Sequence, residues 1–381
     1  MKNVIVVCHD IIDPLFGAGG LRTLKIAQGF YERGYNVTII SPSEKKRINN
    51  LNVCSTYSLN NGKNILIDLL KYNVSLFRQL IKHISRTDFI FVHNAISLPL
   101  VIILARIFKK KVFLEVTDIH SEYVKMRSKI FFFWLFASLC SLLEHKFISL
   151  ADKVIAVTNQ MKLHLKSKGI NGNMIYVIYD GVDIEKFSTR KNTGSHFKIV
   201  HLGLVNVHSG VEYLIKSFAY VLEKSKGAFL YLIGDGLVKE KCKALAEELK
   251  IEKNIIFENF KTHDMMSSIL RDYSIGVIPR PDTLGNNLVI TLKLLEYWAS
   301  GTAVVASRLK GIEEVACDTS NVLFAKPGDP KDLADKILIL LENQKIAERL
   351  SCEGRNSARL FSWENVVSNT IDICLNAKQD R

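Results

Sequence analysis

The chain has 381 residues, 48% of them hydrophobic, which suits two domains of ordinary size, each with its own core. Its seven cysteines (Cys8, Cys54, Cys140, Cys242, Cys317, Cys352, Cys374) form no CxxC pair and no Cys/His ligand spacing. That excludes a disulfide framework and a zinc-finger class, and the expectation is a reducing, cytoplasmic setting with no metal. The net charge of +13 is uneven: residues 1–190 hold 26 Lys and Arg against 14 Asp and Glu, and the remainder holds 25 against 24. No zinc finger, RNP-like motif or arginine-rich arm accompanies the basic half, so nucleic acid is not expected as a partner; an anionic membrane surface is.

In chain order, MKNVIVVC predicts a strand from Lys2 to Cys8, with no signal peptide before it. A loop from His9 to Gly20 follows, holding Gly17, Gly19 and Gly20, then a helix from Leu21 to Arg33 and a strand from Asn36 to Ile40. GAGG is either a flexible connection or a turn that approaches a phosphate; it lacks the GxGxxG spacing. Residues 43–64 are polar and predict a loop with at most one short strand. Ile65, Leu69, Leu76 and Leu80 have helical spacing, interleaved with Lys71, Arg78 and Lys82. Strands from Asp88 to His93 and Lys111 to Val116 flank a largely buried helix from Leu98 to Phe108. The alternation implies a doubly wound sheet. His93 and Asp118 stand at strand ends where catalytic groups are expected, although His93 also fits a plain hydrogen bond at a strand terminus.

Ile130 to Leu143 runs fourteen residues without a charge, too short for a span of about 20 residues. It fits a packed core helix, an interfacial helix or a partner surface. ADKVIAV and Tyr176 to Ile178 are further strands. STRKNTGS, from Ser188 to Ser195, is the one plausible linker, and after it the strand, loop, helix, strand order returns: Phe197 to Leu202, Gly203 to Gly210, Val211 to Lys224, Phe229 to Ile233. Gly234, Asp235 and Gly236 fit ordinary turn chemistry. In IGVIPRPDTLGNNLVITLKLLEYWASGTAVVAS, a strand from Ile275 to Ile278 closes on Pro279 and Pro281. Thr291 can cap a helix from Leu292 to Ser300, Gly301 can stop it, and the next strand runs from Thr302 to Ala306. Arg280, Lys293 and Glu296 fall outside the carboxyl ends of these strands, where helix N-termini favour phosphate. From periodicity alone, Lys293 and Glu296 read first as a surface ion pair.

LKLLEYWASGTAVVAS closely resembles the donor-binding segment of the retaining glycosyltransferases of family 4, and GGLRTLKIAQGFYERGYNVTII resembles that family's opening. The resemblance covers almost the whole chain. It implies the GT-B architecture, an α/β fold of two Rossmann-like doubly wound domains facing each other across a cleft. The expected domains are 1–187 on the acceptor side, a linker at 188–196, and 197–360 on the nucleotide-sugar side, with a terminal helix within 361–381 packing back on the first domain. By the same resemblance Glu296 holds the donor ribose, Gly19 and Gly20 lie under its diphosphate, and Gly203 opens the corresponding loop of the second domain.

Several positions depart from the family pattern. Leu204 and Ser209 stand where an arginine and a lysine are usual, Leu288 replaces a glutamate eight residues before Glu296, and Thr117 stands where a histidine usually precedes the aspartate matched by Asp118. Whether His120 substitutes is open. RPDTLGNNLVITLKLLEY resembles a branch of the family in which the arginine and lysine lie here, so Arg280 and Lys293 are expected to carry the cation work, helped by backbone amides at Thr291 and Leu292.

The resemblance thus implies a retaining, metal-independent hexosyltransferase of polysaccharide biosynthesis, with Arg280, Lys293, Asp118 and His93 as catalytic candidates. The expected donor-binding residues are Glu296, Thr291, Leu292, Gly19, Gly20 and Gly203. No cofactor is expected, the nucleotide-sugar being a substrate, and the acceptor is expected to be a glycan or polyprenyl-linked. The expected location is cytoplasmic, peripheral on the inner face of the cell membrane. The rivals are a nucleotide-sugar epimerase of the same fold and a catalytically silent sugar-nucleotide-binding subunit.

Overall fold

A computed structural model describes residues 2–15, 17–59, 65–119, 121, 141–187 and 198–376. The linker reading at 188–196, His120, and residues 130–140 of the apolar run lie outside the described residues. The chain divides into two compact units, Met1–Tyr179 with Glu364–Arg381, and Asp180–Trp363.

In the first unit, eight strands are ordered β3-β4-β2-β1-β5-β6-β7-β8. They are β1 Asn3–Cys8, β2 Asn36–Ser41, β3 Arg47–Ile48, β4 Leu51–Ser55, β5 Phe89–His93, β6 Lys111–Val116, β7 Lys153–Ala156 and β8 Ile175–Val177. All pairs are parallel except β3 with β4. That pair replaces the expected loop: Asn49 and Asn50, at φ 46° and 68°, make a two-residue turn that needs left-handed residues, a role asparagine tolerates. Helices α1 (Ala18–Glu32), α2 (Ile65–His83) and α3 (Leu98–Ile107) cross between strands. From α1, Gly29 meets Val367 of the terminal helix Trp363–Asn376, and Arg33 donates to Asp372 at 3.3 Å, so this helix packs on the first unit.

Strand ends in this unit carry a buried charged row. Cys8, His93 and Glu115 are successive register partners on β1, β5 and β6. Glu115 accepts from Arg22 Nε at 2.7 Å and pairs with His93 Nδ1 at 2.8 Å, and Arg22 also donates to the carbonyls of Tyr179 and Ile178. All three charged side chains are buried.

The second unit has six parallel strands ordered β11-β10-β9-β12-β13-β14. They are β9 Lys198–Leu202, β10 Phe229–Ile233, β11 Ile255–Glu258, β12 Ile275–Ile278, β13 Ala303–Ser307 and β14 Leu323–Ala325. Numbered within the unit, the order is 3-2-1-4-5-6, which reverses between β9 and β12 and opens a crevice at their carboxyl ends. The Leu292–Ser300 helix locks onto the turn before β14 and onto the Gln344–Ala358 helix: Trp298 Nε1 donates to Asn321 O at 2.8 Å, and the Trp298 ring lies over Gly354 with no room for a side chain there. Trp298 is fully buried. Trp298→Ala should therefore cost about 3–5 kcal/mol of stability, read as a lower midpoint in urea unfolding.

Candidate active site

In the second unit the crevice is built by close approaches that glycine permits. Gly203, directly after β9, has φ 103°, and a β-carbon there would sit 3.4 Å from Lys293 Nζ. Gly210, at φ 73°, lies against the Pro279 carbonyl with no space for a β-carbon, which brings the Val207–Ser209 turn onto the start of the Arg280 loop. Asn286 pins the same loop by donating to His208 O at 3.1 Å and Pro281 O at 2.9 Å. Tyr297, buried behind the crevice, accepts from Leu202 N at 3.0 Å, and its ring fills the space left by Gly276.

The Leu292–Ser300 helix begins at Thr291, as its sequence implies, but the Thr291 hydroxyl caps no N–H. Leu294 N donates to the Thr291 carbonyl at 2.9 Å, and the Leu292 and Lys293 amides before it are not claimed by the Thr291 hydroxyl, the condition that makes a helix start receptive to an anion. Lys293 stands in that turn. Burial and then the nearby Arg280 push its ammonium down to about 7, while Glu296 pulls the other way. Arg280 is half-buried. Glu296 is buried and one of its oxygens lies 2.8 Å from His263 Nε2.

Two histidines escaped the sequence reading. His263 approaches Glu296 from the His263–Met265 turn, thirty-three residues upstream, and no local pattern announces it. His201 sits inside apolar β9; its Nδ1 faces Val277 O at 3.0 Å, and burial with Lys293 and Arg280 nearby holds it well below its ordinary value, as a neutral imidazole.

The departures from the family pattern have structural counterparts. Leu204 is 58% exposed; the Ser209 hydroxyl belongs to a capping box with Asn206; Leu288 is buried beside Val289 and Ile290. Of the expected site residues, Gly203, Arg280, Thr291, Leu292, Lys293 and Glu296 belong to this crevice. Gly19, Gly20, His93 and Asp118 belong to the first unit, at the carboxyl edge of its sheet. There a β-carbon on Gly19 would collide with the Asp10 carboxylate and lie 2.8 Å from His93 Nε2. Asn94, in a left-handed conformation at φ 68°, accepts from the amides of Thr117 and Asp118 and so fixes the turn that carries the partly exposed Asp118.

Comparison with known proteins gives two family matches: "Glycosyltransferase Family 4" over residues 20–186 and "Glycosyl transferases group 1" over residues 183–357. An uncharacterized glycosyltransferase of Methanocaldococcus jannaschii is 29% identical over 225 residues, 57% of each chain. The chain spans little more than half the length of the curated relatives it matches, 57% and 53% for the first two. Sucrose-phosphate synthase from Thermosynechococcus elongatus superposes with a TM-score of 0.82 at 15% identity, over all of both chains. Anabaena HepE in complex with UDP and glucose superposes at 0.79, with 15% identity, over 98% of this chain and 99% of that one. Between them the two family matches take in residues 20 to 357, one for each Rossmann-like unit, and the chain belongs to the family 4 glycosyltransferases of the GT-B fold.

Proposed function

We propose that the protein is a retaining glycosyltransferase that moves a sugar from a nucleotide-sugar to a lipid-linked or cell-envelope glycan acceptor. The observation that carries this reading is the convergence of Lys293, Arg280 and an uncapped helix start on the Gly203 turn, with Glu296 one helical turn beyond. Two cations and the amides of Leu292 and Lys293 suit a pyrophosphate, and a carboxylate suits the two vicinal hydroxyls of a ribose. The UDP in the structural neighbour HepE supports the same donor class.

In the reaction the bond from the anomeric carbon to the diphosphate oxygen breaks, and a bond to the acceptor oxygen forms on the same face of the sugar. The acceptor proton passes to the departing phosphate. Lys293 and Arg280 stabilise the charge that grows on that phosphate, the step on which fixed electrostatics act most strongly. With two side-chain cations supplied there, the donor half of the reaction needs no metal. Glu296 holds the ribose with His263 fixing its orientation. Asp118 is the acceptor-side carboxylate of this reading. His93, without exposed surface, acts as a positioning residue for the Gly19 loop.

The acceptor's lipid character rests on α2. Its inner face, with Tyr72, Leu76 and Leu80, is buried, yet Ile67, Leu70, Val74, Phe77 and Ile81 form an exposed stripe at alternating spacings of three and four. Lys71, Arg78 and Lys82 lie exposed beside it. An apolar stripe with basic flanks suits the interface of an anionic bilayer. No helix among the described residues is long and apolar enough to cross a membrane.

Incubation with UDP-, GDP- and dTDP-sugars should release nucleoside diphosphate only when membrane extract supplies an acceptor, and Glu296→Ala should lower kcat/KM by about 100-fold, the loss of two hydrogen bonds to a charged group. Wild-type turnover in that variant removes Glu296 from the site. Donor affinity should decline as pH rises above about 7, because Lys293 loses its proton there in the ligand-free protein and a bound diphosphate must win it back. Titration calorimetry with a nucleoside diphosphate should record proton uptake near neutrality. Lys293→Met should flatten that profile and weaken affinity by about 10- to 100-fold; an unchanged slope means that Lys293 does not meet the diphosphate. Replacing both Leu70 and Phe77 by glutamate should cut binding to phosphatidylglycerol vesicles by about tenfold or more, since each side chain loses its apolar burial in the bilayer. Equal sedimentation of variant and wild type would move the membrane surface elsewhere.

A further inference from the structure

The crevice of the first unit, between β1 and β5, holds a cluster of which the glycosyl-transfer reading uses only His93, as a positioning residue. Cys8 and His93 end neighbouring strands as register partners and are both fully buried. Asp10, two residues after Cys8, turns back over them: its amide donates to Cys8 Sγ at 3.3 Å, its Oδ2 lies 3.7 Å from that sulfur, and the same oxygen lies 3.6 Å from His93 Nε2. The three donor atoms lie within 4.8 Å of one another.

We propose that Cys8, Asp10 and His93 form a binding site for a zinc-class divalent cation. Metal bonds of about 2.0–2.3 Å in a tetrahedral shell place neighbouring donors roughly 3.3–3.7 Å apart, the separations seen from Asp10 to each of its partners. A thiolate, an imidazole and a carboxylate together select a borderline cation such as zinc over magnesium or calcium, which take oxygen-rich shells.

The imidazole is already prepared for this task. His93 Nδ1 is 2.8 Å from Glu115 Oε2, so that nitrogen carries the proton donated to the carboxylate, and Nε2 is the atom that faces Asp10, where a cation would take it. Nε2 is buried with no hydrogen-bond partner of its own. Arg22 in turn fixes Glu115 at 2.7 Å. A carboxylate behind a ligating histidine is the arrangement that sets tautomer and ring orientation at metal centres. Gly19 completes the cradle, since a side chain there would enter the space between Asp10 and His93.

Three protein ligands leave a fourth position on the partly exposed Asp10 side, where His9 also approaches the other carboxylate oxygen at 3.7 Å. A cation here fastens the loop after β1 to β5 and adds positive charge beside the start of α1.

The test uses the full chain carrying Cys317→Ser and Cys352→Ser, which removes two exposed thiols. Titrated with cobalt(II) after dialysis against chelator, the protein should bind one equivalent. It should gain a sulfur-to-cobalt charge-transfer band and the intense visible bands of a tetrahedral site, and zinc should displace them. Cys8→Ser should abolish the charge-transfer band. Asp10→Asn, at a partly exposed position that tolerates the change, should keep the fold by circular dichroism and weaken cobalt affinity by about tenfold or more. Absence of the band in the parent protein, or its persistence in Cys8→Ser, would overturn the site. Because the readout is metal binding and not turnover, its failure leaves the glycosyl-transfer reading standing.

Discussion

Positive charge gathered at the carboxyl edge of a parallel sheet is the interaction on which the second unit depends. Arg280 is brought close enough to disfavour the charge on Lys293, and His201, on β9 beside them, is kept neutral by burial first and by the two cations second. Glu296 offsets part of this, but one of its oxygens already faces His263. Bringing like charges together in a partly desolvated crevice costs free energy, which the diphosphate of the proposed function would return on binding.

The geometry that permits it is mostly backbone. Lys293 reaches the Gly203 turn because no side chain intervenes, and the Arg280 loop lies where it does because Gly210 meets the Pro279 carbonyl directly. Tyr297 ties β9, β12 and the helix into one block, through its hydroxyl to Leu202 and its ring against Gly276. The cations are therefore held on a rigid frame, which is the preorganisation the proposed reaction would need as charge develops on a leaving phosphate.

Much of this was legible in the sequence because it is local. Apolar runs gave the strands, their recurrence after the linker region gave the second doubly wound unit, and the position of Lys293 and Glu296 at one edge of the helix gave a shared side. What stayed hidden depends on register between distant strands. Nothing near Glu115 announces that β5 will place His93 beside it and that Arg22 will reach it from α1. The meeting of Cys8 and His93 was hidden for the same reason, since they are 85 residues apart and become neighbours only through the pairing of β1 with β5. The Asn49–Asn50 turn was legible in principle, as two residues that tolerate positive φ between short β-prone runs, yet the polar composition of residues 43–64 masked it.

The departures at 204, 209 and 288 can be ordered by what each position now does. Ser209 closes a turn by exchanging hydrogen bonds with Asn206, a task a lysine cannot perform because it has no acceptor. Leu288 and its neighbours Val289 and Ile290 are buried beneath the loop, and a carboxylate among them would lose its hydration without a partner. Leu204 points into solvent, where a cation would be screened. Lys293 instead extends from a helix start into a space bounded by backbone, where each unit of charge acts through less water. Lys293 thus takes a semi-buried place where positions 204, 209 and 288 are exposed or structurally committed, and under the proposed function the charge state of this one amine near neutrality governs how strongly a pyrophosphate is held.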